Sequence, residues 1–575
     1  MATVATYDVI ICGAGSGGGF LAGEIAPYCS VLLLDHGPYF SETPNPGKGT
    51  PQRRVFSTQI NLGMYWGDGS TAPTPPAAFN GVDNSNEGSG SPRASATANS
   101  PIFTAYPMYM DPSNPALNTM QREPRLVGGG SQINVGAWVR PRLVDWDGFT
   151  QETGVQGWTK AAFEPYFQKA EKIVNVHRDV RENWNIAAVL YEQAAKKMGI
   201  PVFEESSNRK GCIFCGHRLN AGMPCKYDSL QSTLMTQVPK AVANGATVVG
   251  NAEVVQILMS NNKATGVMYS LNGQMVQANA NKLVVLSSGA IGTPVIMRTN
   301  GMHLTNPNIG QYLRAHPGIP IDAILPGTNW NTDRGYQWNA YHYGMDENGD
   351  PIDTLVHVPA GFPANTPWVA SVVGTFGYPY KNVMRQYRQR AGAFIFELKP
   401  AIYGRVVGDI NNPIIYYPIA DQNTGYLESK TLNDFLLSAR QVAAVYKSMG
   451  AYTTYPTMDQ PEFIVKQTLS QFVTSSGALH PQGTCRAGSD PKTSVVDANC
   501  MSHDFGNLMC CDASVIPNHI SSNPNSMIMA IAARAADFVI TQVLGKTLPA
   551  DTPPAPEAEP PPAIAEAAAT SGVAV

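Results

Sequence analysis

The sequence predicts a mixed α/β protein: a doubly wound unit with parallel strands at the N-terminus, then a domain built on an antiparallel sheet. Three observations predict it. The β-branched run Val9-Ile10-Ile11 reads as a buried parallel strand, feeds a glycine-rich turn at 13–18 and a helical stretch through Phe20, Leu21 and Ile25, and is followed by the apolar run Val31-Leu32-Leu33-Leu34. From about 320 to 475 the chain changes to alternating strand-like segments with many aromatics, among them Trp330, Tyr336, Trp338, Tyr341, Tyr343, Phe362, Trp368, Phe376 and Tyr378. A length of 575 residues also exceeds one simple module at roughly 100–200 residues per domain.

Taken in order, strand, glycine turn, helix and second strand make one βαβ unit ending at Asp35. Residues 68–115 are rich in Ser, Asn, Pro, Gly and Thr with little apolar periodicity, which predicts a long excursion of the functional or disordered kind. Helices are predicted over 158–172 and 229–245. Strands are predicted at 246–249, 253–258 and 265–269, before the run Leu283-Val284-Val285-Leu286 that leads to Gly289. The second domain carries a helix near 430–449. The apolar stretch 526–544, interrupted by Arg534 and Asp537, reads as a core helix. The Pro/Ala-rich residues 548–575 cannot bury enough surface to fold and predict a disordered tail.

Composition narrows the function classes. With 39 basic and 43 acidic residues the net charge is −4, so no basic surplus gathers phosphates and nucleic-acid binding has no electrostatic support. Charged residues make up 14% of the chain against about 25% on average, and 43% is apolar, enough for a large core. Glycine and proline together, 53 and 45 residues, stay below the roughly 25–30% of low-complexity chains. No apolar run reaches the roughly 18–20 residues that span a bilayer. No charged-then-apolar leader precedes Tyr7, and nine cysteines are too few for a disulfide scaffold. The expectation is a cytoplasmic protein, although export with a signal-bearing partner would leave the same sequence.

The motif Gly13-x-Gly15-x-x-Gly18 lies between a strand and a helix. Gly13 permits the tight turn, Gly15 lets backbone approach a pyrophosphate, and Gly18 lets helix and strand pack closely. Asp35, 22 residues after Gly13, ends the second strand, where a carboxylate accepts ribose hydroxyls. Motif and acid together predict a dinucleotide site without separating NAD from FAD. Gly128-Gly129-Gly130-Ser131-Gln132-Ile133-Asn134 follows the strand-like Arg125-Leu126-Val127, and adjacent glycines suit backbone lying against a flat ring or a phosphate as well as a hinge. Near the C-terminus stand His480-Pro481-Gln482-Gly483-Thr484-Cys485, the run 507–517, and Ser522-Asn523-Pro524. A single histidine is more often structural than catalytic, but a neutral imidazole in a pocket takes an alcohol proton near neutral pH.

These motifs in this order resemble the glucose–methanol–choline (GMC) flavoprotein oxidoreductases over nearly the whole folded chain. The resemblance is carried by residues 7–18, by Asp35-His36-Gly37 where the family usually has Glu-x-Gly, and by Gly129 to Asn134 with Arg140 and Asp145-Trp146. It continues through Gly157-Trp158, Pro165-Tyr166-Phe167, Ser288 to Pro294, Gly310 and His316-Pro317, and is closest from His480 to Asp537. It implies a Rossmann-type FAD-binding domain assembled from 1–160, 226–320 and 478–547, and a substrate domain from 161–204 and 321–477.

By the same resemblance, His480 matches the catalytic base and Asn523 the second residue of the pair, which is His or Asn in different members. The FAD site implied comprises Gly13, Gly15, Ser16, Gly18, Asp35, Gly130, Asn134, Val254, Asp512, Ala513, Asn523 and Pro524. Gly130 and Asn134 are expected against the isoalloxazine and Val254 at the adenine end. Asp512, Ala513 and Pro524 are expected by the ribityl chain or pyrimidine side. Some relatives tether FAD through a histidine just before the residue matching Asn134; Ile133 stands there, so non-covalent FAD is expected. The reaction implied is oxidation of an alcohol, the acceptor being oxygen or another oxidant. The low charge content favours an uncharged substrate, bulky or aromatic. The same family also contains lyase-like, non-redox members.

Cys212-x-x-Cys215 with Cys225 lies in a Gly- and Pro-punctuated loop, 205–225. Three thiolates suit an iron–sulfur cluster of the kind carried by some multi-subunit dehydrogenases, but the spacing matches poorly, and zinc would need His217 as a fourth ligand. A structural or thiol role is favoured and no metal is expected. Cys510-Cys511 reads as a buried strand end. The sequence leaves the alcohol, the electron acceptor and the oligomeric state open.

Overall fold

A computed structural model describes residues 4–39, 103–110, 118–212, 225, 228–327, 330, 338–358, 385–421, 423–476 and 478–549. The first sheet is built around β1 (Ala5–Cys12), whose Val9, Ile10 and Ile11 are fully enclosed. Flanking it are β2 (Val31–Leu34) and the long β9 (Gln274–Leu286), both parallel to it, with β6 (Thr247–Val249) parallel beyond β2. β9 does double duty. Its first half closes an antiparallel meander with β7 (Ala252–Ser260) and β8 (Lys263–Leu271), and its last residues pair in parallel with β16 (Leu508–Cys510). The order is β7-β8-β9-β1-β2-β6. Helices α1 (Gly18–Ile25) and α7 (Asn525–Phe538) pack together over the sheet, α3 (Lys160–Ile173) packs on α7, and α5 (Gly289–Thr299) follows β9.

The second sheet is antiparallel throughout, as its aromatic, alternating sequence predicts. Its order is β14 (Thr453–Tyr455), β10 (Arg314–Ile324), β13 (Arg390–Glu397), β12 (Pro351–Val358), β11 (Ala340–Met345) and β5 (Phe203–Glu204). Helix α6 (Ser429–Ser448) covers one face with Leu432, Phe435, Leu436, Ala439 and Val442, spaced to form one apolar stripe. The short strand β15 (Ala478–Gln482) pairs with the first residues of β10 and so joins the two halves of the molecule.

Several elements differ from expectation. The helix expected over 229–245 is confined to α4 (Gln237–Ala243). Pro239 is tolerated only in a first turn, and the preceding Ser232 and Thr233 are spent on side-chain bonds to Gln132 and Ser131. The excursion over 68–115 ends in a strand, β3 (Phe103–Tyr109), paired with β4 (Asn118–Pro124); residues 40–102 and the tail from 550 lie outside the described residues. The C-terminal core helix starts at Asn525 and ends in a π-helical turn over Val539–Val543. Asn525–Val543 is long and apolar enough to cross a membrane by length and composition, and 67% of it is packed inside the protein.

Candidate active site

The glycine turn is shaped by close approaches. Gly13 sits at φ +109°, where a side chain is strained, and a Cβ there would lie 2.2 Å from the Ser287 carbonyl oxygen. A Cβ on Gly18 would lie 2.0 Å from the Gly13 oxygen. Gly15 differs: its Cβ would meet only Gly129 Cα, at 3.8 Å. The neighbouring triple-glycine segment is drawn in because Gly128 N–H donates to Ala14 O at 2.9 Å, and it starts a short helix, α2 (Gly129–Ile133). A Cβ on Gly130 would meet nothing within 4 Å. The two backbone segments pack closely at Gly15 and Gly129, where a Cβ on Gly129 would lie 2.7 Å from Gly15 Cα, with open space at Gly130, and no side chain caps the N-terminus of α1.

Asp35 is buried and accepts Ala14 N–H at 2.9 Å on one oxygen and Gly37 N–H at 2.8 Å on the other. Its shorter reach, compared with the glutamate usual in the resembled family, fastens the glycine turn to the strand end and leaves each oxygen a further lone pair. Val254 is two strand residues beyond this point, since Ala252 N–H donates to Asp35 O at 2.8 Å. Asn134 ends α2, and its Oδ1 accepts Gly136 N–H at 2.9 Å. Asp512 spends its side chain internally, on Gly289 N–H (2.8 Å), Thr293 Oγ1 (2.6 Å) and Ser514 N–H (2.7 Å), while burial pushes its carboxyl upward. Ala513 O accepts Gly483 N–H, Pro524 caps α7, and Ser16 Oγ donates to Asn525 Oδ1 at 2.8 Å. The sequence-predicted residues therefore converge on one seam between the glycine turn, α2 and the 512–525 segment, with Asp35 and Val254 at one end.

His480 lies at the other end. Strand β15 pairs Gln482 with Arg314 but Leu479 with His316, so the extra residue of a bulge falls at His480-Pro481. His480 takes the left-handed backbone at φ +63°, a strained conformation of order 1–3 kcal/mol of the kind that gathers at functional sites. The bulge turns its ring edge-on to His316, with the two Nδ1 atoms 3.0 Å apart. Burial, and then the neighbouring His316 and His357, hold the His480 imidazole well below its ordinary range, so it is uncharged at neutral pH. His316 is fully enclosed; burial lowers it to about 3, and it hydrogen-bonds the Ile520 backbone. That bond brings the Ser521-Ser522-Asn523 loop to the pair, and His519 stacks on His316 at 6.5 Å.

The wall beside His480 is aromatic. The Phe396 ring is 5.0 Å from His480, with Phe394 and Trp338 beyond it. Behind it, His357 lies flat under Trp338 at 4.1 Å and pairs with Glu205 at 2.9 Å, both fully enclosed. Sequence reasoning missed this dyad, Phe396, and the contact of His316 with His480. His316 was visible only as a matched motif, and a β-bulge leaves no signature that a one-residue reading detects. Of the cysteine loop, Cys212 lies 3.9 Å from an Arg209 nitrogen and Cys225 Sγ 3.1 Å from Ser229 Oγ, while Cys215 is outside the described residues. Among the described residues no group of three or more His, Cys, Asp or Glu is arranged to hold a metal.

Fold and site define a dinucleotide-binding α/β protein with a histidine set between its two sheets. The GMC oxidoreductase family models match residues 64–318 and 422–532. A long-chain-alcohol oxidase of Arabidopsis thaliana is 24% identical over 91% of this chain and 66% of its own, so the chain spans just under two thirds of that relative. An oxygen-dependent choline dehydrogenase of Paraburkholderia xenovorans is 23% identical over 93% of this chain and 94% of its own. Among solved structures, a formate oxidase from Aspergillus oryzae studied for its FAD modification superposes with a TM-score of 0.67 (17% identity; 94% of this chain, 99% of that one). The pyridoxine 4-oxidase from Mesorbium loti superposes at 0.64 (18% identity, 92% and 98%).

The chain belongs to the GMC oxidoreductase family, and its cofactor is FAD. The seam fits that group. In the 512–525 segment, which meets the glycine turn through Ser16 and Asn525, the buried polar atoms Ser522 Oγ, Asn523 Oδ1 and Asn525 Nδ2 have no hydrogen-bond partner. Each is costly to leave unmet, by about 1–3 kcal/mol, and is the kind of group a polar cofactor or substrate satisfies.

Proposed function

We propose that this protein oxidises an alcohol to the aldehyde or ketone, with His480 as the base that removes the hydroxyl proton. The reading is supported above all by the uncharged His480 ring, turned by a bulge to stand between an aromatic wall and the loop carrying Asn523. FAD, when bound, supplies the hydride acceptor at N5. The imidazole takes the proton at Nε2 because its Nδ1 is engaged by His316. The Asn523 amide orients the alcohol oxygen and, being neutral at every pH, does not compete for the proton. Gly13, Gly15, Ser16, Gly18 and the uncapped start of α1 would hold the pyrophosphate, with Asp35 and Val254 toward the adenosine end. Gly130, Asn134, Asp512, Ala513 and Pro524 would hold the flavin and ribityl chain. With Ile133 preceding Asn134, FAD is held without a covalent bond.

The wall of Phe396, Phe394 and Trp338, with Glu205 paired to His357 behind it, favours an uncharged substrate carrying an apolar or aromatic body. Three of the proteins named above act, by name, on long-chain alcohols, choline and pyridoxine, all of them alcohols, and the fourth is a formate oxidase. The test is a panel of aliphatic, aromatic and amino alcohols mixed anaerobically with the yellow protein, then with oxygen or with a quinone dye. Bleaching of the oxidised-flavin band by an alcohol supports the reading and names the substrate and acceptor. A flavin that stays oxidised while an alcohol is cleaved would instead make the protein a lyase.

A further inference from the structure

We propose that His316 is a positioning residue: through its Nδ1 it fixes His480 in the tautomer whose Nε2 is free to take the alcohol proton, and it then shares the resulting charge. The inference rests on the reading of His480 as the base and adds to it the group that makes it one.

The argument is one of counting protons. The two Nδ1 atoms are 3.0 Å apart, a hydrogen bond that needs one proton and one lone pair. His316 is fully enclosed and uncharged, so it has a single N–H. The Ile520 carbonyl can only accept, and with Nδ1 turned to His480 the N–H it receives is that of Nε2. The Gln482 amide lies 3.3 Å from the same Nε2 and 3.4 Å from the His480 carbonyl oxygen; we place its Oε1, otherwise buried without a partner, toward the His316 N–H. His316 therefore faces His480 with a lone pair. The proton between the rings belongs to His480, and its Nε2 carries no hydrogen.

In hydrolase triads a carboxylate does this orienting work. Here the groups acting on the pair are His519 stacked on His316, Lys399, His357 behind Phe396, and Arg314 beside His519. Among the described residues the carboxylate–histidine pairs are those of His177 and His357, and neither ring of this pair meets one. A neutral imidazole stabilises the His480 imidazolium less than a carboxylate would. The base therefore stays weakly basic. No proton leaves the pair: the alcohol O–H proton ends on His480 Nε2 and the Nδ1 proton is shared with His316.

The experiment compares the holoenzyme with His316→Leu, His316→Gln and His480→Ala by anaerobic stopped-flow, using whichever alcohol bleaches the wild type, across pH 5–9. His316→Leu should lower the limiting rate of flavin reduction about 10–100-fold. Its FAD content should be unchanged, its apparent alcohol affinity should stay within about threefold, and the acid limb of the profile should move to lower pH, because the imidazolium loses its acceptor. His316→Gln, whose carbonyl oxygen is an acceptor, should recover most of the rate and the wild-type limb. Should the leucine variant not accumulate as yellow protein, His316→Met takes its place. A non-accepting variant within threefold of wild type, or one as slow as the glutamine variant with an unmoved limb, overturns the proposal. If His480→Ala is itself unimpaired, the base assignment fails first; if it is slow while His316→Leu is fast, only the role of His316 fails.

Discussion

Alanine at Gly15 separates folding from cofactor binding. Alanine at Gly18 would thrust a methyl to 2.0 Å from a carbonyl oxygen, and at Gly13 it would add both a 2.2 Å clash and a left-handed backbone; both should damage the βαβ unit itself. At Gly15 the added methyl meets only Gly129 Cα at 3.8 Å, an ordinary contact, and the backbone is not left-handed. The apoprotein should therefore fold with unchanged or slightly raised stability. The methyl projects into the room assigned to the pyrophosphate. Displacing one or two charge-assisted hydrogen bonds there, each about 1.5–3 kcal/mol, should weaken FAD binding at least about tenfold. The assay pairs urea unfolding of the apoprotein with FAD titration followed by flavin fluorescence. A Gly15→Ala protein of wild-type stability that binds FAD with wild-type affinity would refute the placement of the pyrophosphate. A variant that fails to fold would refute the reading of that room as empty of protein.

Other consequences follow from the same geometry. Asn523→Ala should slow flavin reduction by about 10-fold or more while leaving FAD bound, since it removes only an orienting hydrogen bond; an unaffected rate would exclude Asn523 from the site. Acid precipitation should leave FAD in the supernatant, and yellow colour retained in the pellet would show a covalent link. His342 is fully enclosed and burial lowers it to about 4, from about 6.5 when unfolded. Its stabilising contribution is complete above pH 6.5 and lost as pH falls toward 4. His342→Gln should thus lessen the acid-side slope of unfolding free energy by up to about 1.4 kcal/mol per pH unit, and parallel curves for the two proteins would contradict this.

The first sheet was legible because β-branched runs bounded by glycine report a buried parallel strand directly, and the Gly13–Gly18 spacing has one strand-to-helix context. The antiparallel sheet was legible only as a class, because its pairing joins residues as distant as Phe203 and Tyr341 or Arg314 and Gln482, which no local pattern encodes. Helix α4 was read too long because apolar spacing continued through Leu230 and Leu234, while Pro239 and the side-chain bonds of Ser232 and Thr233 decided the boundary. His480 and Asn523 could be named from motif resemblance. What orients His480 could not, since its geometry arises from a bulge in β15 and from a neighbour 164 residues away. Asp35 shows the converse: its position was readable, but its engagement of Ala14 and Gly37 depends on the turn closing over it.

The central claim is that His480 removes the alcohol proton, and the most direct measurement is anaerobic flavin reduction by a substrate alcohol in the wild type and in His480→Ala, each loaded to the same FAD content. A fall in the limiting rate of about 10²–10⁴, with alcohol affinity little changed, is the predicted result. A rate within threefold of the wild type would contradict it.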